Sequence, residues 1–234
     1  MKWLPVFLFI AGSAQAQSVA IDLGAAGQAG VTARIVQLTA LVTLLSLAPS
    51  LLVMATAFTR IVMVLSFLRT ALGAQSTPPN TVLIGLSLFL TWFVMQPVFD
   101  QSWTAGIQPM MDNKLNEIEG ITRAAEPFRD FMLHTLRRAD LSFFQTLAHA
   151  PPDDTSWRVV MPAFMIGELR RAFEMGFLLF LPFLVIDMVV ASVLMSLGMM
   201  MLPPNVVSLP FKLVFFATVD GWRLVAGGLV RTFG

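Results

Sequence analysis

Apolar residues fill two long blocks of the chain, and a more polar stretch separates them. The first block is uncharged over residues 35–59 and again over residues 70–99. Each run is long enough to cross a bilayer, since about 20 apolar helical residues suffice. Residues 73–80, GAQSTPPN, lie between them, and their glycine and paired prolines cannot continue a helix. The pattern therefore predicts an apolar helical hairpin over residues 34–99, with its tip at this motif.

The polar stretch, residues 100–158, holds most of the acidic side chains and both histidines. Pro127 fits the first turn of a helix through residues 128–148, and the prolines at 151 and 152 end that helix. We interpret the stretch as a water-facing, extracytoplasmic helical insert. Phe131 and Phe144 lie on its amphipathic surface. They form either the core of this small domain, which composition alone favours, or a contact with a neighbouring subunit.

The second apolar block, residues 159–234, carries charges inside its hydrophobic runs. A charged side chain at the bilayer centre costs about 2.5–3.5 kcal/mol on insertion scales, so these groups should face protein, water or each other. The tip motif returns here, because LPPNVV at 202–207 matches TPPNTV at 77–82. We therefore predict a second apolar hairpin. The charges expected to form buried pairs are Arg171, Glu174, Asp187, Lys212, Asp220 and Arg223.

Helical spacing supplies partners for some of these charges. Asp220 and Arg223 are three residues apart and should neutralise each other, and Glu174 should pair with Arg170 and Arg171. Glu168 also lies three residues from Arg171, but its apolar surroundings favour contact with a neighbouring subunit. Asp187 is open. It could pair across subunits with Lys212 or Arg60, or it could titrate as in a proton or solute transporter.

The first residues have the pattern of a targeting signal. Lys2 precedes an apolar core over residues 3–10, and Ala-Gln-Ala at 14–16 resembles a cleavage site, so residues 1–16 are predicted to be a cleavable signal peptide. Residues 17–33, rich in glycine, alanine and glutamine, then predict a flexible lead-in. With this end outside, the arginines of the second hairpin oppose the usual basic asymmetry, so we infer that other protein chains hold that hairpin.

Composition supports a membrane protein and argues against catalysis. The chain of 234 residues is 56% hydrophobic and 12% charged, with a mean hydropathy of +0.77 and a net charge of +1. It has no cysteine, and His134 and His149 lack the i, i+4 spacing of a helical zinc site. We therefore expect no enzyme activity, no metal, no cofactor and no nucleic-acid partner.

Two long segments, 58–98 and 166–222, carry a family resemblance, and the insert segment that begins PFRDFML at residue 127 joins them. Together they resemble the FliP proteins of the flagellar type III export gate and the related SctR proteins of injectisomes. The resemblance covers nearly all of the chain after the predicted signal. It implies an all-α subunit of the flagellar basal body in the bacterial inner membrane, with injectisome and transporter subunits as alternatives.

The resemblance also implies partners and an assembly. Several copies, five by family resemblance, would form a ring with FliQ-like and FliR-like subunits, near FlhA-like and FlhB-like components. The hairpins would stack into a helical cone, much of it on the periplasmic side, and unfolded export substrates would pass through its centre. Export would be powered by other components, so the chain would be a conduit.

A methionine-rich loop is the candidate gate. Gly198 precedes Met199, Met200 and Met201, and Pro203 and Pro204 end the segment. Methionine is unbranched and flexible, so a ring of such loops could close tightly and yield to a passing polypeptide. From the residues alone, a pore seal and ordinary lipid-facing methionines are evenly matched. The resemblance favours the seal, because this loop matches the constriction of the family.

Overall fold

The computed structural model describes residues 53–74, 77–199 and 201–233, together with isolated helical positions between residues 36 and 50. The predicted signal peptide, 1–16, and lead-in, 17–33, lie outside the described residues. The chain divides into two compact units, residues 1–47 and 48–234. The second unit contains all the helices that the structure bounds.

The first hairpin pairs helix α1, Phe58–Leu72, with helix α2, Asn80–Ser102. A turn over residues 55–57 precedes α1, where the Thr56 hydroxyl donates to the Val53 carbonyl (2.9 Å) and accepts from the Phe58 amide (3.3 Å). The end of the uncharged run 35–59 therefore forms this turn and the first two residues of α1. The helix then continues through the stretch that carries Arg60 and Arg69. Gly73, with φ of 77°, ends α1 in the left-handed region.

Helix α2 does not stop at the predicted boundary of the insert. A π-helical turn, Trp103–Ile107, and a final α-helical turn, Gln108–Met111, prolong it. A Cβ atom at Gly106 would lie 2.4 Å from the Gly120 carbonyl oxygen, so only glycine allows the two backbones to approach this closely. The Ser102 hydroxyl donates to the Ala124 carbonyl at 2.7 Å. The apolar helix therefore also positions the insert.

The insert contains helix α3, Glu117–Thr135, and helix α4, Arg138–Leu147. The prediction of one helix over 128–148 was wrong, because α3 begins earlier and the chain breaks at Leu136 and Arg137, whose ψ angles are both 140°. Asn116 sets the earlier start, since its side chain accepts the Glu119 amide at 2.8 Å. Pro127 lies inside α3.

The second hairpin consists of helix α5, Trp157–Ser196, helix α6, Pro204–Thr218, and helix α7, Gly221–Arg231. The axes of α6 and α7 differ by 64°, and Asp220 at the break has φ of 51°. Each PPN motif begins a returning helix. Pro79 immediately precedes α2, and Pro203 immediately precedes α6.

The core of the second unit lies where α1 packs against the first half of α5. A smaller buried cluster, around Met132, Val160 and Phe164, joins the insert to α5. Two described helices, Asn80–Met111 and Trp157–Ser196, are long and apolar enough to cross a membrane, and α6 with α7 counts as a third if the bent pair forms one span. The all-α prediction with apolar hairpins is confirmed over the described residues.

Candidate gate loop and buried charges

The candidate gate loop begins with a well-formed helix end. Gly198, with φ of 73°, donates its amide to the Met195 carbonyl at 3.1 Å, and Met199 donates to the Leu194 carbonyl at 3.0 Å. This pair of bonds is a Schellman motif, which satisfies the last carbonyls of α5 and turns the chain sharply. Gly198 thus fixes where the loop leaves α5.

The two methionines of the loop that the structure describes are exposed. Met201 is 98% exposed and Met199 is 44% exposed, while Met200 lies outside the described residues. Pro203 and Pro204 end the loop, and Pro204 is the first residue of α6. The loop is therefore held at both ends, and over the described residues it leaves Met201 almost uncovered and Met199 partly so.

Asp187 and Lys212 form a pair between α5 and α6. Lys212 Nζ lies 2.6 Å from Asp187 Oδ2 and donates to the Ala71 carbonyl at 3.2 Å, and the Ser208 hydroxyl donates to Asp187 Oδ1. Lys212 is buried, whereas 29% of the Asp187 side chain is exposed. Lys212 is a partner that we predicted for Asp187, but the pair forms within one chain. It also ties the second hairpin to the end of α1.

Glu168 forms a second, more deeply buried pair with Arg60. Arg60 Nε donates to Glu168 Oε2 at 2.8 Å, and Nη2 donates to Oε1 of the same carboxylate. Both residues are fully buried, with exposed fractions of 0% and 1%. The sequence placed Glu168 against a neighbouring subunit, but the structure buries it against its own chain. The partner is 108 residues away in sequence, beyond the reach of helical spacing.

The predicted pairs of Glu174 with Arg170 and Arg171 do not form. Arg170 pairs with Asp140 of α4 at 2.7 Å. Arg171 instead donates to the Thr135 carbonyl at 2.6 Å. Glu174 is exposed and pairs with Arg137 at 2.9 Å, because α5 faces the insert here. Each charge therefore has its partner in the insert rather than along α5.

Asp220 and Arg223 come together only loosely. Their side chains are 4.0 Å apart, and both are exposed, so this is a surface pair rather than the predicted buried one. The left-handed conformation of Asp220 turns it outward at the break between α6 and α7.

The two predicted interface phenylalanines differ. Phe131 packs edge-on against Phe164, with ring centroids 6.1 Å apart, in the chain's own core. Phe144 is half-buried and meets the exposed ring of Phe143 at 5.2 Å. The core interpretation therefore holds for Phe131, and a subunit contact through Phe144 stays a prediction.

Sequence reasoning missed the role of Arg60. The signal was present, because Arg60 follows an uncharged run and precedes the apolar residues Ile61 to Leu65. A cation in such surroundings needs a carboxylate, and Glu168 was the acidic residue without a satisfactory partner. Across the described ranges, no group of three or more histidine or acidic residues could hold a metal ion.

Comparison with known proteins gives a consistent family. The sequence profile of the FliP family matches residues 41–229. The flagellar biosynthetic protein FliP of Caulobacter vibrioides is 57% identical over 225 residues, covering 94% of this chain and 84% of the relative. The FliP protein of Agrobacterium fabrum is 45% identical, with coverage of 98% and 97%. The FliP protein of Bacillus subtilis is 51% identical, with coverage of 85% and 91%.

Proposed function

This chain belongs to the FliP family of flagellar biosynthetic proteins, and we propose that its loop of residues 198–204 seals the resting pore of the flagellar export gate. As a FliP-family protein, the chain is a subunit of the flagellar export gate and a component of the inner-membrane flagellar apparatus. The proposal concerns how this subunit conducts protein without leaking ions.

The exposed methionines are the observation that carries the proposal. Met201 is almost fully exposed and Met199 is partly exposed. Both follow the end of the apolar helix α5, and the described residues leave them open to contact. Such apolar surface is expected to find a cover in the assembled protein. Several thioether side chains around a central axis would exclude water when closed and would yield to an unfolded chain.

The assembly supplies the other copies of the loop. We propose a ring of several copies, five by family resemblance, together with FliQ-like and FliR-like subunits and near FlhA-like and FlhB-like components. Unfolded flagellar proteins would pass through its centre, with the insert on the periplasmic side. The subunit would act as a conduit without enzyme activity. The broad apolar surface of α5 supports association with other chains or lipid, because the described part of the chain leaves it exposed.

Ion leak tests the seal directly. Replacing Met199, Met200 and Met201 together with serine should raise the resting ion conductance of membranes that contain the assembled complex. Replacing the same residues with leucine should keep conductance low, because the apolar volume remains. An unchanged conductance in the serine variant contradicts the seal.

A matched control uses a methionine far from the loop. Met111 is also largely exposed, but it lies at the end of the helix that enters the insert. Met111→Ser should leave resting conductance unchanged. If it raises conductance as much as the loop variant does, general loss of methionine packing explains the leak.

The two alternative functions, a transporter and an injectisome subunit, have less support than the export gate. A proton or solute transporter needs a free carboxylate, whereas Asp187 is engaged by Lys212 and Ser208. An injectisome subunit is disfavoured because the relatives of Caulobacter, Agrobacterium and Bacillus are all named flagellar biosynthetic proteins.

A further inference from the structure

Two residues that follow α7, Thr232 and Phe233, close over the buried side chain of Arg60. We infer that they form a clasp, whose two members are positioning residues that hold α7 against α1 and the insert so that the subunit can support export. The clasp is separate from the methionine loop and does not depend on the proposed seal.

The first part of the clasp is a pair of hydrogen bonds. Glu168 occupies Nε and Nη2 of Arg60, which leaves Nη1 to find another acceptor. Nη1 donates to the Thr232 carbonyl at 3.2 Å and to the Thr232 hydroxyl at 2.9 Å. Because Arg60 is fully buried, water does not replace these acceptors easily. Thr232 therefore completes the environment of a buried cation.

The threonine hydroxyl is oriented for this task. It donates its hydrogen to the Leu229 carbonyl at 2.7 Å, in the last turn of α7. Its oxygen lone pairs are therefore left to accept from Arg60. Serine could make both hydroxyl bonds, to Arg60 and to Leu229. Valine has the same shape but would keep only its backbone carbonyl as an acceptor for Arg60.

The second part of the clasp is an aromatic contact. The guanidinium carbon of Arg60 lies 3.8 Å from the centroid of the Phe233 ring, a cation–π distance. The Phe233 ring also stacks on Phe131 of α3, with centroids 6.2 Å apart and planes at 22°. The segment after α7 thus contacts α1 through Arg60 and the insert through Phe131.

These contacts bring four parts of the chain to one point. Arg60 belongs to α1, Glu168 to α5, and Phe131 to α3, while Thr232 and Phe233 follow α7. Apart from this clasp, α7 contributes few buried residues, namely Gly221, Val225 and Leu229. The clasp is therefore placed to decide whether α7 stays in register with the rest of the subunit.

Paired substitutions separate a clasp from ordinary packing. Thr232→Val and Phe233→Leu keep apolar volume but remove the hydroxyl and the aromatic ring, whereas Thr232→Ser and Phe233→Tyr keep them. The readouts are secretion of flagellar substrates by cells that carry each variant, and amide hydrogen exchange of α7 in the detergent-extracted complex.

We expect Thr232→Val and Phe233→Leu to speed α7 exchange at least tenfold and to lower secretion, with α6 exchange unchanged. The serine and tyrosine variants should stay within twofold of the original protein in both readouts. Exchange that is unchanged in the valine and leucine variants, or equally fast in all variants, overturns the clasp.

A second experiment applies if the Thr232→Val protein does not accumulate in cells. It uses a background in which the buried charges of Arg60 and Glu168 are removed. Replacing both Arg60 and Glu168 with methionine removes the cation that Thr232 serves, and apolar replacement of a whole buried pair is often tolerated. In this background, adding Thr232→Val should cause no further loss of the protein. A further loss as large as in the original background overturns the inference, because Thr232 would then act independently of Arg60.

Discussion

The two halves of α5 lie in different surroundings, although both are strongly apolar in sequence. All but two of the buried residues of α5 lie before residue 177, and the exceptions are Phe183 and Leu194. The second half instead exposes a series of large apolar side chains, namely Phe177, Leu178, Val185, Met188, Val189 and Val193. Hydrophobicity alone therefore does not say what covers a helix. The first half completes the core of the described chain, whereas the second half is left exposed by the described residues.

The charged residues in the two halves of α5 differ in burial in the same way. Glu168, in the first half, is fully enclosed with Arg60. Asp187, in the second half, keeps part of its carboxylate exposed while it binds Lys212. A buried charge depends on its partner because removing one member strands the other in a poorly solvated place. We therefore expect the first pair to matter more than the second for the stability of the isolated chain.

The largest predicted effect comes from neutralising Glu168. Glu168→Gln leaves the buried guanidinium of Arg60 without a counter-charge, which should lower the free energy of unfolding by about 3–5 kcal/mol. Chemical unfolding of the detergent-solubilised chain, free of other subunits, measures this loss. If Glu168 served only an interface, the isolated chain would keep its stability and only the complex would be lost.

Glu174→Gln is the matched control on the same helix. Glu174 is exposed and pairs with exposed Arg137, so neutralising it should cost less than about 1 kcal/mol. Equal stability losses for the two glutamine variants would contradict the difference in burial.

The arrangement of the hairpins could be predicted from sequence because its signals are local. The two PPN motifs and Gly73 act within a few residues, and each does end or begin a helix where the motif predicts. The insert was less predictable. Pro127 resembles a helix start, but the capping side chain of Asn116 begins the helix earlier, and α3 accommodates the proline.

Partners of the charges could not be predicted because they are set by tertiary contacts. Spacing along α5 offered Arg171 to Glu168, whereas packing of α1 on α5 supplies Arg60 from 108 residues earlier in the chain. Arg171 instead donates a hydrogen bond to the Thr135 carbonyl. Periodicity shows which residues share a face of one helix, but it does not show which helix will cover that face.

An intermediate effect is predicted for the second pair. Asp187→Asn strands the buried ammonium of Lys212, and Lys212→Met removes the partner of Asp187, so each should cost about 1–3 kcal/mol. The double variant has neither charge, and its loss should be smaller than the sum of the single losses. Additive losses in the unfolding measurement would show that the two side chains are not coupled.

The same double variant tests the transporter alternative. A pair that only holds helices together can be replaced by neutral side chains, so secretion of flagellar substrates should persist. If secretion stops although the complex assembles normally, the pair does more than hold the helices together, and the transporter alternative gains support.

The smallest effect on the chain itself is predicted for the exposed half of α5. Val189 is exposed, and it lines an apolar groove with Val185 and Phe211, so Val189→Asn should change the free energy of unfolding by less than about 0.5 kcal/mol. The amount of chain recovered in the assembled complex should nevertheless fall, because the amide would be desolvated when another subunit covers this face. The same change at Val160, which is fully buried in the first half, should instead destabilise the isolated chain. Normal assembly of the Val189 variant would mean that the groove stays uncovered by protein.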